Sequence, residues 1–221
     1  MNALSRIVRF LYFGVVVRGV ILLGLGLTAR HRERLPKSGP AIIAANHNSH
    51  LDTLALMSLM PLSLLPKLKP VAAADYFLSG KLRSWFAQEI IGILPLKRTQ
   101  LRKGANPLAA LEEALDRDEI LILFPEGSRG EPEALGRFKT GVGQLAASRP
   151  DVPVFPVYMH GFGKALPRGS SVLVPFNCTV SVGEALQGSG FEGAHGRRDF
   201  MAAYEARMTA LVEADTVPDW D

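Results

Sequence analysis

Ala41-Ile42-Ile43-Ala44-Ala45-Asn46-His47-Asn48-Ser49-His50-Leu51-Asp52 is the stretch from which the rest of the chain can be organised. Small apolar residues run without a polar break from Ala41 to Ala45, a length that suits a strand covered on both faces. Polar residues follow from Asn46 to His50, and a helical pattern then occupies Leu51–Met60. A strand, a polar turn and a helix in that order are the opening unit of an α/β domain.

The same alternation continues downstream. Strands are expected at Val71–Ala74, Ile93–Leu96, Ile120–Phe124, Val154–Met159 and Val172–Val174, with Thr179–Val182 as a hairpin partner. Helices are expected at Lys81–Ile91, Pro107–Asp116, Thr140–Ala147 and Asp199–Ala214. Leu108, Leu111 and Leu115 share one helical face, as do Phe200, Tyr204, Met208 and Leu211, which is the spacing of core-facing stripes. The pattern predicts a single α/β domain over residues 38–221, its mostly parallel or mixed sheet covered by helices.

Upstream, Phe10–Leu27 is apolar apart from Arg18. Its 18 residues would span about 27 Å as a helix, slightly short of a bilayer core. Basic residues flank it on both sides, which gives little orientation bias, and Arg18 would be costly in mid-membrane. Residues 1–37 therefore read as an N-terminal apolar, membrane-associating helical arm, two short helices broken near Gly14 or Gly19 and dipped into one leaflet. A helix buried in the protein's own core is the plainer alternative.

Composition supports this division. The chain of 221 residues is 48% hydrophobic and 21% charged, which excludes global disorder. Its single cysteine, Cys178, excludes a disulfide scaffold. Seven Lys/Arg against one Glu give residues 1–37 a net charge of +6, whereas 18 Lys/Arg against 20 Asp/Glu leave the body at −2. A nearly neutral body argues against a nucleic-acid face, and a basic apolar arm suits an anionic membrane surface.

Two turns collect reactive side chains where strands are expected to end. In the first, Asp52 follows His47 closely enough to orient its imidazole and leave the other ring nitrogen as a general base. Asp52 in the opening turn of a helix also fits simple N-terminal capping. A zinc site at His47, His50 and Asp52 lacks the spacing of a known metal motif, and no metal or cofactor is expected. The second turn, Phe124-Pro125-Glu126-Gly127-Ser128-Arg129-Gly130, suits an anion: glycines admit close backbone approach, Ser128 brings a hydroxyl and Arg129 a bidentate fork. A surface turn with a Glu126–Arg129 ion pair is the plainer alternative. Lys97, Arg98 and Lys139 are further anion candidates. No nucleophile elbow, phosphate loop or dinucleotide turn is present.

Four ordered blocks, Asn46 to Asp52, Gly92 to Arg98, Phe124 to Arg129 and Val152 to Val157, resemble those of the glycerolipid and lysophospholipid acyltransferases. The resemblance runs from about Pro40 to Met159. It implies that His47 is the general base and Asp52 its orienting partner, and that Arg98, Glu126, Gly127, Ser128 and Arg129 help to bind a phosphate-bearing acceptor. Gly130 and His50 depart from residues frequent in that family. The expected reaction moves an acyl group from an acyl-CoA or acyl carrier protein thioester to the hydroxyl of 1-acylglycerol-3-phosphate or a related lysophospholipid. The expected location is the membrane, at its cytoplasmic face. The alternatives are a lipid ester or thioester hydrolase using the same base, and a lipid-binding protein in which the His–Asp pair is structural.

Overall fold

Ala41–Ala45 is the central strand, β2, of a seven-stranded sheet in the computed structural model of the protein. The structure describes residues 3–74, 80–96, 106–130, 134–167, 169–170 and 172–216. The other strands are β1 (Gly26–Arg30), β3 (Leu68–Ala73), β4 (Leu94–Leu96), β5 (Ile120–Leu123), β6 (Val154–His160) and β7 (Asn177–Val182). Their order is β1-β7-β6-β2-β5-β3-β4, and only the β6–β7 pairing is antiparallel. The expected α/β domain with a mostly parallel sheet is present.

The helices are α1 (Ala3–Leu11), α2 (Leu51–Leu59), α3 (Lys81–Trp85), α4 (Ala109–Asp116), α5 (Gly141–Ser148), the short turn α6 (Phe162–Ala165) and α7 (Gly196–Thr216). Alternation along β2 divides the core in two. Ala41, Ile43 and Ala45 face a layer built from α2 and the N-terminal helix, with Phe13, Val17, Ile21, Leu56 and Met57. Ile42 and Ala44 face α4, α5 and α7, with Leu111, Leu115, Leu145, Phe200, Tyr204 and Met208.

Two expectations need correction. Val172–Val174 is not a strand: Val172 and Val174 are exposed, and Pro175, without an N–H, cannot continue a ladder. The partners of β7 are instead β6 and β1, and β1 was hidden inside the stretch assigned to the apolar arm.

The arm is not broken at Gly14 or Gly19. Helix α1 continues through π-helical turns at Tyr12–Val17 and Gly19–Gly24. Phe13, Val17, Ile21 and Leu25, four residues apart, are buried against the domain. Among the described residues no helix is long and apolar enough to cross a membrane. The opposite face leaves Leu4, Ile7, Leu11, Val15 and Val16 exposed.

Most of the arm's arginines are bound to backbone carbonyls of the body. Arg18 donates through Nε to Ser58 O at 3.2 Å and through Nη2 to Met60 O at 2.9 Å. Arg32 donates from Nε and Nη2 to Leu59 O, at 3.0 and 2.6 Å. Together they cap the C-terminal end of α2, where carbonyls lack helical partners and cations are favoured. Arg34 donates to Val182 O at 3.1 Å. Arg9 is 2% exposed and donates to Leu68 O and Ile91 O at 3.3 and 3.1 Å; burial pushes its pKa down to about 10. Gly92 sits against that guanidinium at φ 83°, and a Cβ there would lie 2.6 Å from Arg9 Nη2.

Candidate active site

The polar turn between β2 and α2 is anchored at both ends. Asn46 imitates a strand partner: its Nδ2 donates to Met159 O at 2.9 Å, and its Oδ1 accepts from Met159 N at 2.7 Å. Asn48 Nδ2 donates to the same carbonyl at 3.2 Å, and Ser49 Oγ donates to Leu166 O at 3.2 Å. The turn is thereby fixed to the C-terminal end of β6.

Inside this frame the backbone brings His47 Nδ1 to 2.9 Å from Asp52 Oδ2. Asp52 is fully buried, and the same Oδ2 accepts the backbone N–H groups of Asn48 at 2.7 Å and Ser49 at 2.8 Å. The capping and orienting readings of Asp52 thus hold together, because one oxygen does both. As Oδ2 is the acceptor, Nδ1 carries the proton and Nε2 has the lone pair. The His47 side chain keeps 19% of its surface accessible and stacks on Phe124, with ring centroids 4.1 Å apart.

The second turn is joined to the first. Gly130 N donates to His47 O at 2.9 Å, and Gly127 N donates to Phe124 O at 2.9 Å, closing a tight turn at φ 74°. Lys139 N donates to Pro125 O at 2.8 Å, and its ammonium lies over Gly127, in the space a Cβ would need. Ser128 is exposed and Arg129 half-buried. Arg129 is near enough to His50 to oppose its protonation; burial, then Arg129 and His47, hold the His50 pKa below the usual imidazole range.

Glu126 lies differently from a group that meets ligand. It is 7% exposed, Oε1 accepts Gly136 N at 3.4 Å, and the carboxylate also accepts the backbone N–H of His47. Oε2 is buried with no hydrogen-bond partner among the described residues. Burial pushes its pKa up, against the two backbone bonds. A Cβ at Gly136 would lie 3.2 Å from the Glu126 carboxyl carbon, a tight contact that a small shift of the carboxylate would have to relieve.

The structure therefore brings together His47, Asp52, Glu126, Gly127 and Lys139 around two linked turns, with Ser128 and Arg129 on the outer side. Lys97 and Arg98 lie outside the described residues. Phe124, Asn46 and Asn48 were not singled out from sequence; all three stand inside the quoted motifs, but nothing in their spacing shows a stacking partner or a side-chain ladder. Beyond Phe124 lies an apolar pocket of about 380 Å³, lined by Val71, Leu96, Leu111, Phe124, Lys139 and Val142 among others. His47 is not part of its wall.

An imidazole in contact with a buried carboxylate lies beside a turn with a lysine and an arginine, an arrangement whose chemistry suits proton transfer next to an anion. Comparison with known proteins gives the family. The acyltransferase family model matches residues 26–160, and the chain belongs to that family. Chloroplastic 1-acyl-sn-glycerol-3-phosphate acyltransferase LPAT1 of Arabidopsis thaliana is 34% identical over 159 residues, 71% of this chain and 42% of the plant protein. Human 1-acyl-sn-glycerol-3-phosphate acyltransferase beta is 27% identical over 196 residues, covering 88% and 68% of the two chains. The chain thus spans less than half of the plant relative and about two thirds of the human one. The crystal structure of the 1-acyl-sn-glycerophosphate acyltransferase PlsC of Thermotoga maritima shares the fold, with a TM-score of 0.69 at 17% identity over 99% of this chain and 100% of that one.

Proposed function

We propose that this protein transfers an acyl group from an acyl-CoA or acyl carrier protein thioester to the free hydroxyl of 1-acylglycerol-3-phosphate, forming phosphatidate. The observation that carries the reading is the 2.9 Å contact between His47 Nδ1 and an Asp52 oxygen already fixed by two backbone amides. His47 Nε2 takes the proton of the acceptor hydroxyl, whose oxygen attacks the thioester carbonyl; the tetrahedral intermediate then collapses to the ester and expels the thiolate, which takes up the proton held on His47 Nε2 and so restores the base. Asp52 stabilises the imidazolium formed on the way. Arg129 and Lys139, with Arg98 by the resemblance and Lys97 as its basic neighbour in sequence, hold the acceptor phosphate so that its hydroxyl meets both base and thioester. Glu126, turned inward, positions the backbone of His47 and the loop at Gly136.

A membrane surface is the proposed source of the acceptor. The exposed face of α1 carries Leu4, Ile7 and Leu11, and the neighbouring α3, with the helical turn that follows it, adds Leu82, Trp85 and Phe86. Tyr12 and Phe86 join the two elements edge to face at 5.4 Å. Such a surface, with no spanning helix among the described residues, fits a protein lying on one leaflet.

The test is His47→Ala in a thioester-dependent acylation assay. Loss of turnover with an unchanged melting temperature is expected, and retained turnover would reject the role of His47. Arg129→Ala should raise KM for the phosphorylated acceptor more than it lowers kcat.

A further inference from the structure

A second basic cavity, of about 440 Å³, lies over the β1–β7 edge beneath the C-terminal half of α7. Three arginines from two parts of the chain line it: Arg30 on β1 and Arg34 just after it, and Arg207 on α7. Each is held in place. Arg30 donates to Ala214 O at 3.1 Å and lies 3.7 Å from Asp215, Arg34 donates to Val182 O, and Arg207 pairs with Glu184 at 2.8 Å. Glu184 is the one carboxylate among the described lining residues, and its side chain is 67% exposed, so it can swing out when an anion arrives.

Ser181 supplies an independent observation. It belongs to the same wall, is 3% exposed, and its Oγ is buried without a hydrogen-bond partner among the described residues. Buried hydroxyls in folded proteins nearly always find a partner, and one left unpaired beside three guanidinium groups points to a missing ligand. Arginine forks match the oxygens of a phosphate group, and three converging cations favour its two negative charges over a single one. Ala210, Leu211 and Ala214 form the remaining wall, so the cavity has room for an apolar organic part beside the phosphate.

This cavity is separate from the His47 centre. None of its described lining residues belongs to the turns after β2 or β5, and strand β6 lies between β7 and β2. It opens on the α7 side of the sheet, whereas the N-terminal helix packs on the α2 side. We propose that this cavity is a second anion site that takes a phosphate monoester from solution rather than from the bilayer.

Calorimetric titration of the full chain with phenyl phosphate and with inorganic phosphate tests this. Phenyl phosphate should bind more tightly than inorganic phosphate, and Arg129→Ala should leave its affinity within twofold. Arg207→Glu, a change at an exposed side chain, should weaken it at least tenfold at an unchanged melting temperature. Ser181→Ala should weaken binding while leaving the free protein as stable or more so, the opposite of what loss of a structural hydroxyl gives. Absence of binding, equal binding by Arg207→Glu, or loss of binding in Arg129→Ala would each overturn the proposal. Vesicles of phosphatidylcholine with and without phosphatidate give the lipid arm. If Arg207→Glu weakens only the phosphatidate-dependent vesicle binding, the solution source is wrong.

Discussion

Asp52→Asn isolates the charge that the proposed mechanism needs. The single oxygen Oδ2 accepts His47 Nδ1–H and two backbone amides, while Oδ1 is buried with no partner among the described residues. An asparagine fits by placing its oxygen at Oδ2 and its amide at Oδ1, which preserves the histidine tautomer and removes only the negative charge. At an effective dielectric of about 20 and a charge separation of about 4 Å, the lost attraction to the developing imidazolium is ~4 kcal/mol. That corresponds to a fall in kcat of about a thousandfold, with KM little changed. Three charge-assisted bonds become neutral ones and a buried amide gains no acceptor, so stability should fall by about 3 kcal/mol as well. Initial rates can be followed by reaction of the released thiol with a chromogenic reagent, since the protein's only cysteine, Cys178, is fully buried. A variant that stays folded and keeps kcat within tenfold of the parent would refute the assignment of Asp52 as the partner of the base.

Gly92→Ala should destabilise the fold by about 3–4 kcal/mol in urea unfolding, from ~1 kcal/mol for the left-handed backbone and ~1.5 kcal/mol for each Arg9 hydrogen bond displaced. Glu126 has a folded pKa raised above its ordinary value of 4.5, so the stability linked to its protonation is present below that value and is lost as pH rises through the folded pKa. Wild type should therefore lose stability relative to Glu126→Gln as pH rises above 4.5; a constant difference would mean that the carboxyl is not perturbed. Leu11→Ser combined with Trp85→Ser removes side chains that are 54% and 44% exposed. About half of ~3 kcal/mol of apolar transfer is lost, which should weaken sedimentation with vesicles about tenfold at an unchanged melting temperature.

The central elements were legible because each obeys one local rule. Ala41–Ala45 is found at the expected bounds, and the helices expected at Leu51–Met60 and Pro107–Asp116 are present, shorter by one and two residues. Leu111, Leu115, Phe200, Tyr204 and Met208 are buried, as the helical spacing predicts. Strand β1 was not legible for the opposite reason. Gly26–Arg30 gains its conformation from pairing with Asn177–Val182, about 150 residues away, and the adjoining apolar residues gave it the look of a helix end. The expected Val172–Val174 strand failed through a local signal that was present, the proline that follows it.

The arm shows how a charge pattern misleads when its partners are distant. Arg9, Arg30, Arg32 and Arg34 read as basic flanks for a bilayer and Arg18 as a charge inside the apolar stretch, yet each donates to a backbone carbonyl. Those carbonyls lie at the end of α2, the start of β3, the turn before β4, the end of β7 and the end of α7, and no sequence window contains both donor and acceptor. The apolar residues divide in the same way. Phe13, Val17 and Ile21 are core, while Ile7, Leu11 and Val15 remain exposed, so burial against the domain accounts for only one face of the helix. One face is bound to α2, the helix whose first turn carries Asp52. The register of a single helix therefore places the exposed apolar face one helix away from the first turn of α2.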